Sequence, residues 1–279
     1  MCRFFIIKNK ETISNKTIRD LLWFSSHSLF KQCYVDTYTP QKPCKTNDHL
    51  INLDGFGIGW YMDDIAYTYR NTIPSWNDQN FLQLTNLIRT KTLLGHIRAI
   101  KPIYKNSFHD INNKETSSVN IHNCHPFRYK EWLFCHNGYI KSFNNGKLRK
   151  KLIMGISDEY ITKLEGTCDS EYVFYLFLTY KLKLNIKDAI IETIKFLVSL
   201  NPKLANYLNF CVTNSEEIVV TRYTNLDTKP PSLYLKQTKD DIIISSEPLV
   251  KDCDEWNLIE KNSLIYIKKY KFKTFSINI

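Results

Sequence analysis

The chain has 279 residues, 43% of them apolar, with 16 Phe, 17 Tyr and 5 Trp, so it can bury a core and is not a disordered protein. Its net charge of +10 comes from scattered Lys and Arg, so we expect a solvated surface and no nucleic-acid partner. No apolar run is long enough to cross a membrane, and the N-terminal apolar stretch is too short for a signal peptide. We therefore expect a cytoplasmic protein without a membrane partner.

The first predicted elements are a buried strand at 2–8 and a helix at 14–24 that Ser14 caps. Segment 77–90 is predicted to be helical because its apolar residues recur on one face. That face consists of Phe81, Leu84, Leu87 and Ile88. The polar segments 33–54 and 103–121 are predicted loops.

The rest of the chain is predicted to contain helices at 158–164, 169–182 and 187–199. The other predicted strands are a strand-like run at 54–61, 92–98, two strands around 125–127 and 132–136, and 209–213, 218–223, 233–235, 242–246, 264–267 and 271–277. Strands, helices and strands occur in blocks, which favours an α+β fold with antiparallel sheets. No linker rich in Pro, Gly or Ser divides the chain, so we expect one domain at 2–279, after loss of Met1.

The eight cysteines have no paired spacing and follow no secretory signal, so we expect reduced thiols rather than disulfides. The segment His122-Asn123-Cys124-His125 has the residue types of a metal site, but no second pair of suitable spacing completes four ligands. We therefore expect no metal.

Cys2 is the first candidate for chemistry. Initiator methionine is normally removed before a small residue, and Cys2 would then carry a thiol and a free α-amino group. That amine has a pKa of roughly 7.7–8.0, so part of it is neutral near pH 7 and can accept the thiol proton. Nucleophile and base would lie in one residue. A chain that begins Met-Cys by chance is the alternative.

Three further segments carry candidate groups. In Phe134–Gly138, Asn137 and Gly138 can donate two hydrogen bonds to an oxyanion, or they form an ordinary turn between strands. Arg98, at a predicted strand end, matches a carboxylate with its guanidinium fork, or it forms a surface ion pair. Asp169 can cap the helix at 169–182, or it can face a substrate ammonium group.

The order of these segments is more specific than any one of them. Cys2, 54–60, 95–98, 123–127, 134–138 and 166–171 together resemble the class II glutamine amidotransferases, which are N-terminal nucleophile hydrolases. The resemblance covers essentially the whole chain and implies a four-layer αββα sandwich. Further segments resemble the branch of fungal glutathione-degrading subunits, which is similar to the YafJ-type and ergothioneine-pathway hydrolases. These segments are 1–5, 26–32, 54–61, 74–77, 209–214, 221–223 and 245–249.

The resemblance assigns a role to each candidate residue. Cys2 is the nucleophile and Asn137 and Gly138 form the oxyanion hole. Arg98 holds the substrate α-carboxylate and Asp169 its α-ammonium group. Three histidines would be core or hydrogen-bonded residues rather than the base: His96, His125 and His136. The implied reaction is hydrolysis of a γ-glutamyl amide, of glutathione or a similar compound, without cofactor or metal.

Two rival functions remain open at this point. A glutaminase would pass ammonia to a synthase on another chain, whereas the fungal subunits act with a metallopeptidase-like partner. A basic binding protein with vestigial site residues is the second rival. Two departures from the family leave the substrate open, namely Lys101 after Arg98 and the long loop at 103–121.

Overall fold

Two antiparallel β-sheets form the centre of the protein. The computed structural model describes residues 2–33, 54–99, 119–250 and 254–279. Its strands are β1 (Arg3–Asn9), β2 (Phe56–Met62), β3 (Ile65–Asn71), β4 (Thr92–Ile97), β5 (Phe127–Tyr129), β6 (Trp132–Tyr139), β7 (Tyr207–Thr213), β8 (Glu217–Arg222), β9 (Tyr234–Gln237), β10 (Asp241–Ser245), β11 (Asn257–Leu258), β12 (Ser263–Lys268) and β13 (Lys271–Ser276).

The helices lie on the outer faces of the two sheets. They are α1 (Asn15–Arg19), which continues as a π-helical turn at Asp20–Phe24, α2 (Gln79–Leu84), α3 (Gly146–Met154), α4 (Asp158–Ile161), α5 (Asp169–Lys181) and α6 (Ile186–Leu200). Ser14 caps α1 as predicted, because its side chain accepts a hydrogen bond from Thr17 N–H.

The strand order places the two ends of the chain in different sheets. The first sheet has the order β11-β9-β10-β1-β4-β2-β3, and the second has the order β13-β12-β8-β7-β6-β5. In the first sheet Arg3 pairs with Ile97, and Phe5 pairs with Ser245. The start of β1 therefore lies between the ends of β4 and β10.

Three hydrophobic cores separate four layers. Phe5 and Ile7 of β1 face α1 and α2, whereas Phe4 and Ile6 face the second sheet. Phe134 of β6 lies in a third core, between the second sheet and helices α3, α5 and α6. This alternation explains why residues 4–7 form an unbroken apolar run, since both faces of β1 are buried. The layers confirm the predicted αββα sandwich.

The prediction of one long helix at 77–90 is wrong. Only α2 forms, and Thr85 Oγ donates to Leu82 O as the chain turns away. Short polar side chains that bond to nearby backbone favour such helix ends. Leu87, which was expected on the buried face, is 70% exposed.

Three elements of the structure, β3, α3 and β11, were not predicted from the sequence. β3 follows β2 through a tight turn in which Asp63 and Asp64 have φ angles of 49° and 62°. α3 lies where the sequence shows a basic run, with its lysines outside and Leu148 and Leu152 buried. β11 has only two residues.

Two sequence predictions concern segments that lie mostly or wholly outside the described residues. The first is the loop at 33–54, and the second comprises Lys101 and the loop at 103–121. Among the residues that are described, no helix is both long and apolar enough to cross a membrane.

Candidate active site

Cys2 lies half-buried immediately before β1. Its Sγ accepts a hydrogen bond from Ala99 N–H at 3.3 Å, one residue beyond Arg98. The main-chain oxygen of Cys2 accepts from Arg3 Nη1 at 3.0 Å. The thiol is therefore held at the end of the first sheet, between the chain that leaves β4 and the first residues of β1.

A buried ionic network supports this segment from behind. Arg3 Nε donates to Glu247 Oε1 at 2.8 Å, and His27 Nε2 lies 2.8 Å from Glu247 Oε2. Burial alone would raise the pKa of Glu247, but the His27 hydrogen bond and the Arg3 charge outweigh it and hold the pKa below its usual value. Glu247 is therefore a carboxylate at neutral pH, and the Arg3 charge stays compensated.

Arg98 follows β4 and is only 4% exposed, so it is a buried residue rather than the surface residue considered above. Its backbone N–H donates to Gly55 O at 2.8 Å, and its Nη1 donates to Asp54 O at 3.3 Å. Gly55 has a φ of 117°, and a Cβ there would lie 2.5 Å from Cys124 Sγ. Glycine at 55 thus permits this segment to lie close to Cys124 while its carbonyl binds Arg98.

Asn137 and Gly138 lie inside β6 rather than in a turn between strands, so the turn alternative is wrong. Asn137 is buried, and its Nδ2 donates to Ser246 Oγ at 3.2 Å. Its Oδ1 has no partner among the described residues. A Cβ at Gly138 would lie 1.8 Å from Tyr207 O, so only glycine fits there.

Asp169 is the first residue of α5 but does not cap it, so the capping alternative is also wrong. Its Oδ2 accepts from Ile140 N–H at 2.8 Å, just beyond β6. Asn123 holds the preceding loop, because its Oδ1 accepts from the N–H groups of Thr167 and Cys168. The loop and the β6 end together fix where the Asp169 carboxylate lies.

The carboxylate of Glu171 supports the same loop from the helix side. It accepts hydrogen bonds from the backbone N–H groups of Glu165 and Gly166 at 2.9 and 2.8 Å. Burial raises its pKa, and these two hydrogen bonds oppose that rise. Asn123 and Glu171 thus hold the approach to α5 from opposite sides.

The three histidines are buried, and His136 lies on the face of β6 that packs against α5. Burial lowers the pKa of His96 to about 3 and that of His125 well below its usual value. Burial also lowers the pKa of His136, against the charge of Asp169. All three are therefore neutral near pH 7. Their core or hydrogen-bonded role is still a prediction, and it agrees with this environment.

His96 and His136 bond across the two sheets. His96 Nε2 donates to His136 O at 3.3 Å, which joins β4 to β6. His136 Nε2 donates to Tyr207 O at 2.8 Å, so its Nδ1 is an acceptor in the neutral ring. Ser170 Oγ lies 3.0 Å from that Nδ1 and 3.2 Å from Asp169 Oδ1, and can donate its single proton to either atom.

The candidate residues meet at one end of the sandwich. Cys2 and Arg98 lie at the end of the first sheet, Asn137 lies near the end of β6 in the second, and Asp169 at the start of α5 binds the chain just beyond β6. Burial raises the pKa of Cys168 to about 12, and the Arg98 charge opposes this rise. The Arg98 charge therefore acts across to the start of α5. A thiol, a buried cation, an amide donor and a carboxylate are the groups needed to attack an amide and hold an amino-acid head.

Comparison with protein families matches residues 19–275 to the family described as glutamine amidotransferases class-II. The chain belongs to this family. It is therefore an enzyme of the class II amidotransferase group, and the predicted family is confirmed.

Two relatives and two solved structures extend this assignment. The probable glutamine amidotransferase DUG3 of Saccharomyces cerevisiae is 28% identical over 325 residues, covering 96% of this chain and 82% of the yeast protein. The gamma-glutamyl-hercynylcysteine sulfoxide hydrolase of Mycobacterium tuberculosis is 22% identical over 233 residues, covering 84% of this chain and 82% of that protein.

The solved structures share the amidotransferase fold. A glutamine aminotransferase class-II domain protein from Silicibacter pomeroyi has a TM-score of 0.68 at 21% identity, and each chain is covered completely. Glutamine phosphoribosylpyrophosphate amidotransferase from Bacillus subtilis has a TM-score of 0.63 at 15% identity. This chain is covered completely, against 50% of the Bacillus chain.

Sequence reasoning missed the residues that support the candidate site. Ser246 and Glu247 appeared only as part of a family-like segment, and Arg3 drew no attention beside Cys2. Asn123 appeared only within a family-like segment and beside a possible metal site, without a role of its own. The described residues contain no group of metal-ligating side chains. Buried polar residues next to candidate segments were the signal that could have found them.

Proposed function

We propose that this class II amidotransferase is a cysteine-nucleophile hydrolase that cleaves γ-glutamyl amide bonds, with glutathione or a related γ-glutamyl compound as substrate. The observation that carries the proposal is the position of Cys2 Sγ. It lies at the end of the first sheet, beside Arg98. Asn137 of the second sheet is joined to β1 through Ser246, and Asp169 binds the chain just beyond β6. An α-amino acid head and a γ-carbonyl fit such an arrangement.

The substrate head is bound by opposite charges. Arg98 holds the α-carboxylate through its guanidinium, and Asp169 holds the α-ammonium group. Both groups are fixed through backbone atoms, which limits how far the glutamyl chain can shift. The γ-carbonyl carbon is thereby presented to Cys2.

The reaction needs a base, and we propose that the α-amine of Cys2 serves after Met1 is removed. The amine takes the thiol proton, and the thiolate attacks the γ-carbonyl carbon. Asn137 and Gly138 stabilise the oxyanion of the tetrahedral intermediate. The C–N bond then breaks, and the leaving amine takes a proton from the Cys2 ammonium. Water hydrolyses the thioester in a second cycle and releases glutamate. The neutral histidines take no proton.

The relatives support this substrate class. The yeast relative is named for glutamine, and the mycobacterial relative is named for a γ-glutamyl compound. Glutamine is itself a γ-glutamyl amide with ammonia as its leaving group. The same nucleophile and the same two charged residues would therefore serve for either substrate.

The test compares wild type with Cys2→Ala for glutamate release from glutathione, glutamine and other γ-glutamyl amides. Loss of a hydrolase nucleophile costs on the order of 10⁶-fold in kcat, so Cys2→Ala should show no measurable turnover while it stays folded. Cys33→Ala, which removes a buried thiol from the helix-facing core, is the matched control and should remain active.

Full activity of Cys2→Ala would contradict the proposal. Intact-mass measurement of both proteins should show a chain lighter by one methionine residue. Faster consumption of glutamine than of glutathione, with a synthase recovered in a pull-down, would favour the glutaminase reading.

A further inference from the structure

Ser246 is a buried residue that follows β10 and lies beside the start of β1. It is 1% exposed, and its backbone N–H donates to Phe4 O at 2.9 Å. Its Oγ accepts in return from Phe4 N–H at 3.0 Å. The main chain two residues after Cys2 is therefore bound to Ser246 through both backbone and side chain.

The same hydroxyl reaches the other sheet. Ser246 Oγ also accepts from Asn137 Nδ2 at 3.2 Å. With Phe4 N–H, this gives the oxygen two donors, which is its full acceptor capacity. A side-chain amide is planar, so fixing one N–H of Asn137 fixes the direction of the other N–H on the same nitrogen.

Glu247 anchors the same turn from its other side. It is fully buried and binds Arg3, whose Nη1 donates to Cys2 O. Ser232 Oγ donates to Ser246 O at 2.9 Å and completes the support. The bend at Ser246 and Glu247 thus contacts both the segment that carries Cys2 and the side-chain amide of Asn137.

We propose that Ser246 is a positioning residue that orients the Asn137 amide relative to the Cys2 thiol. The inference rests on the proposed function, since it assigns Asn137 to the oxyanion hole. Asn137 acts on the tetrahedral oxyanion, whereas Arg98 and Asp169 hold the head of the bound substrate. Loss of the Ser246 hydroxyl should therefore lower kcat and leave KM nearly unchanged.

The kinetic test compares Ser246→Ala, Ser246→Thr and a matched control, Ser245→Ala. Ser245 is equally buried on the preceding position, but its Oγ has only a 3.5 Å contact with Phe4 O. Removing an oxyanion donor costs on the order of 10²–10³-fold in kcat. Misorienting one should cost less, so we expect Ser246→Ala to lose roughly 10- to 100-fold in kcat, with KM within about twofold.

Ser246→Thr keeps the hydroxyl and should recover most of the kcat. An unchanged kcat in Ser246→Ala, or an equal loss in Ser245→Ala, would overturn the inference. The comparison of kcat between Ser246→Ala and Ser245→Ala tests the inference even if the added methyl group prevents Ser246→Thr from folding.

A second readout does not depend on activity. The side-chain NH₂ signals of Asn137, assigned by their loss in Asn137→Asp, should shift in Ser246→Ala and not in Ser245→Ala. A shift without any γ-glutamyl turnover in wild type would retain the orienting role of Ser246 and refute the proposed function. Unmoved Asn137 signals in Ser246→Ala would refute the orienting role, even in an active hydrolase.

Discussion

Backbone groups hold the candidate side chains of the site. Cys2 Sγ accepts from Ala99 N–H, Arg98 Nη1 donates to Asp54 O, and Asp169 Oδ2 accepts from Ile140 N–H. The identity of a residue says little about its backbone partners. The sequence could therefore indicate Cys2, Arg98 and Asp169 as candidates, but the contacts that fix them depend on the fold.

Gly138 shows how sharply one residue can be constrained. We expect Gly138→Ala to lower the free energy of unfolding by about 1–3 kcal/mol or more, because its Cβ would lie 1.8 Å from Tyr207 O and force β6 from β7. Hydrolysis should fall at least about tenfold, since Asn137 moves with the strand. Urea unfolding and glutamate release measure the two effects.

Gly146→Ala is the matched control for Gly138. A Cβ at this first residue of α3 meets nothing within 4 Å. Alanine is also the better helix former, so the variant should be as stable as wild type or up to about 1 kcal/mol more stable. Equal stabilities of the two glycine variants would contradict the packing described at Gly138.

At the scale of elements, the long apolar helical segments were predicted well, whereas the point at which a short helix ends was predicted poorly. Helices α5 and α6 lie close to their predicted bounds, since their apolar residues are buried over several turns. The helix predicted at 77–90 ends at Leu84 in the structure, where the Thr85 hydroxyl bonds to nearby backbone. The segment before α5 was identified as a family-like motif, but its conformation was not predicted. The side chain that holds it belongs to Asn123, which is distant in sequence.

Asn123→Ala tests that support. The variant leaves the N–H groups of Thr167 and Cys168 without their acceptor, which should cost about 1–3 kcal/mol. Asp169 should then shift, so KM for γ-glutamyl substrates should rise about tenfold with less change in kcat. Steady-state kinetics and urea unfolding provide both values.

Asn145→Ala provides the comparison at another helix start. Asn145 caps α3 by accepting from Lys147 N–H, and its loss should cost about 1 kcal/mol. Because α3 does not carry a site residue, KM should stay at the wild-type value. A rise in KM for Asn145→Ala equal to that for Asn123→Ala would show that KM follows stability rather than the position of Asp169.

On the scale of the whole molecule, the two sheets are joined at the site by polar contacts within an apolar core. His96 links β4 to β6, and Ser246 links β1 to β6. The αββα layers followed from block order and family resemblance. The cross-sheet contacts could not be predicted, because no sequence pattern indicates that residues such as His96 and His136 meet across two sheets.

The buried histidines should make the sandwich sensitive to acid. Burial lowers the pKa of His96 from 6.5 to about 3, so between these pH values the unfolded chain binds a proton that the folded protein does not. The free energy of unfolding should therefore fall with decreasing pH, by up to about 1.4 kcal/mol per unit for each such histidine. Acidification from near pH 6.5 should weaken the fold.

His96→Gln should reduce that slope by about one proton while it keeps a donor for His136 O. Urea unfolding of wild type and variant, measured between about pH 7 and pH 5, gives the two slopes directly. Identical slopes would mean that His96 already carries a proton in the folded protein, contrary to its buried position.

The most direct test of the central claim is to map where a diazoketone analogue of glutamine reacts. Such a compound presents a glutamyl head and an electrophilic carbon to the active-site nucleophile. We expect one adduct per chain, on a peptide that begins at Cys2, with loss of hydrolysis in the same proportion. An adduct on another cysteine, or on a peptide that still begins with Met1, would contradict the account.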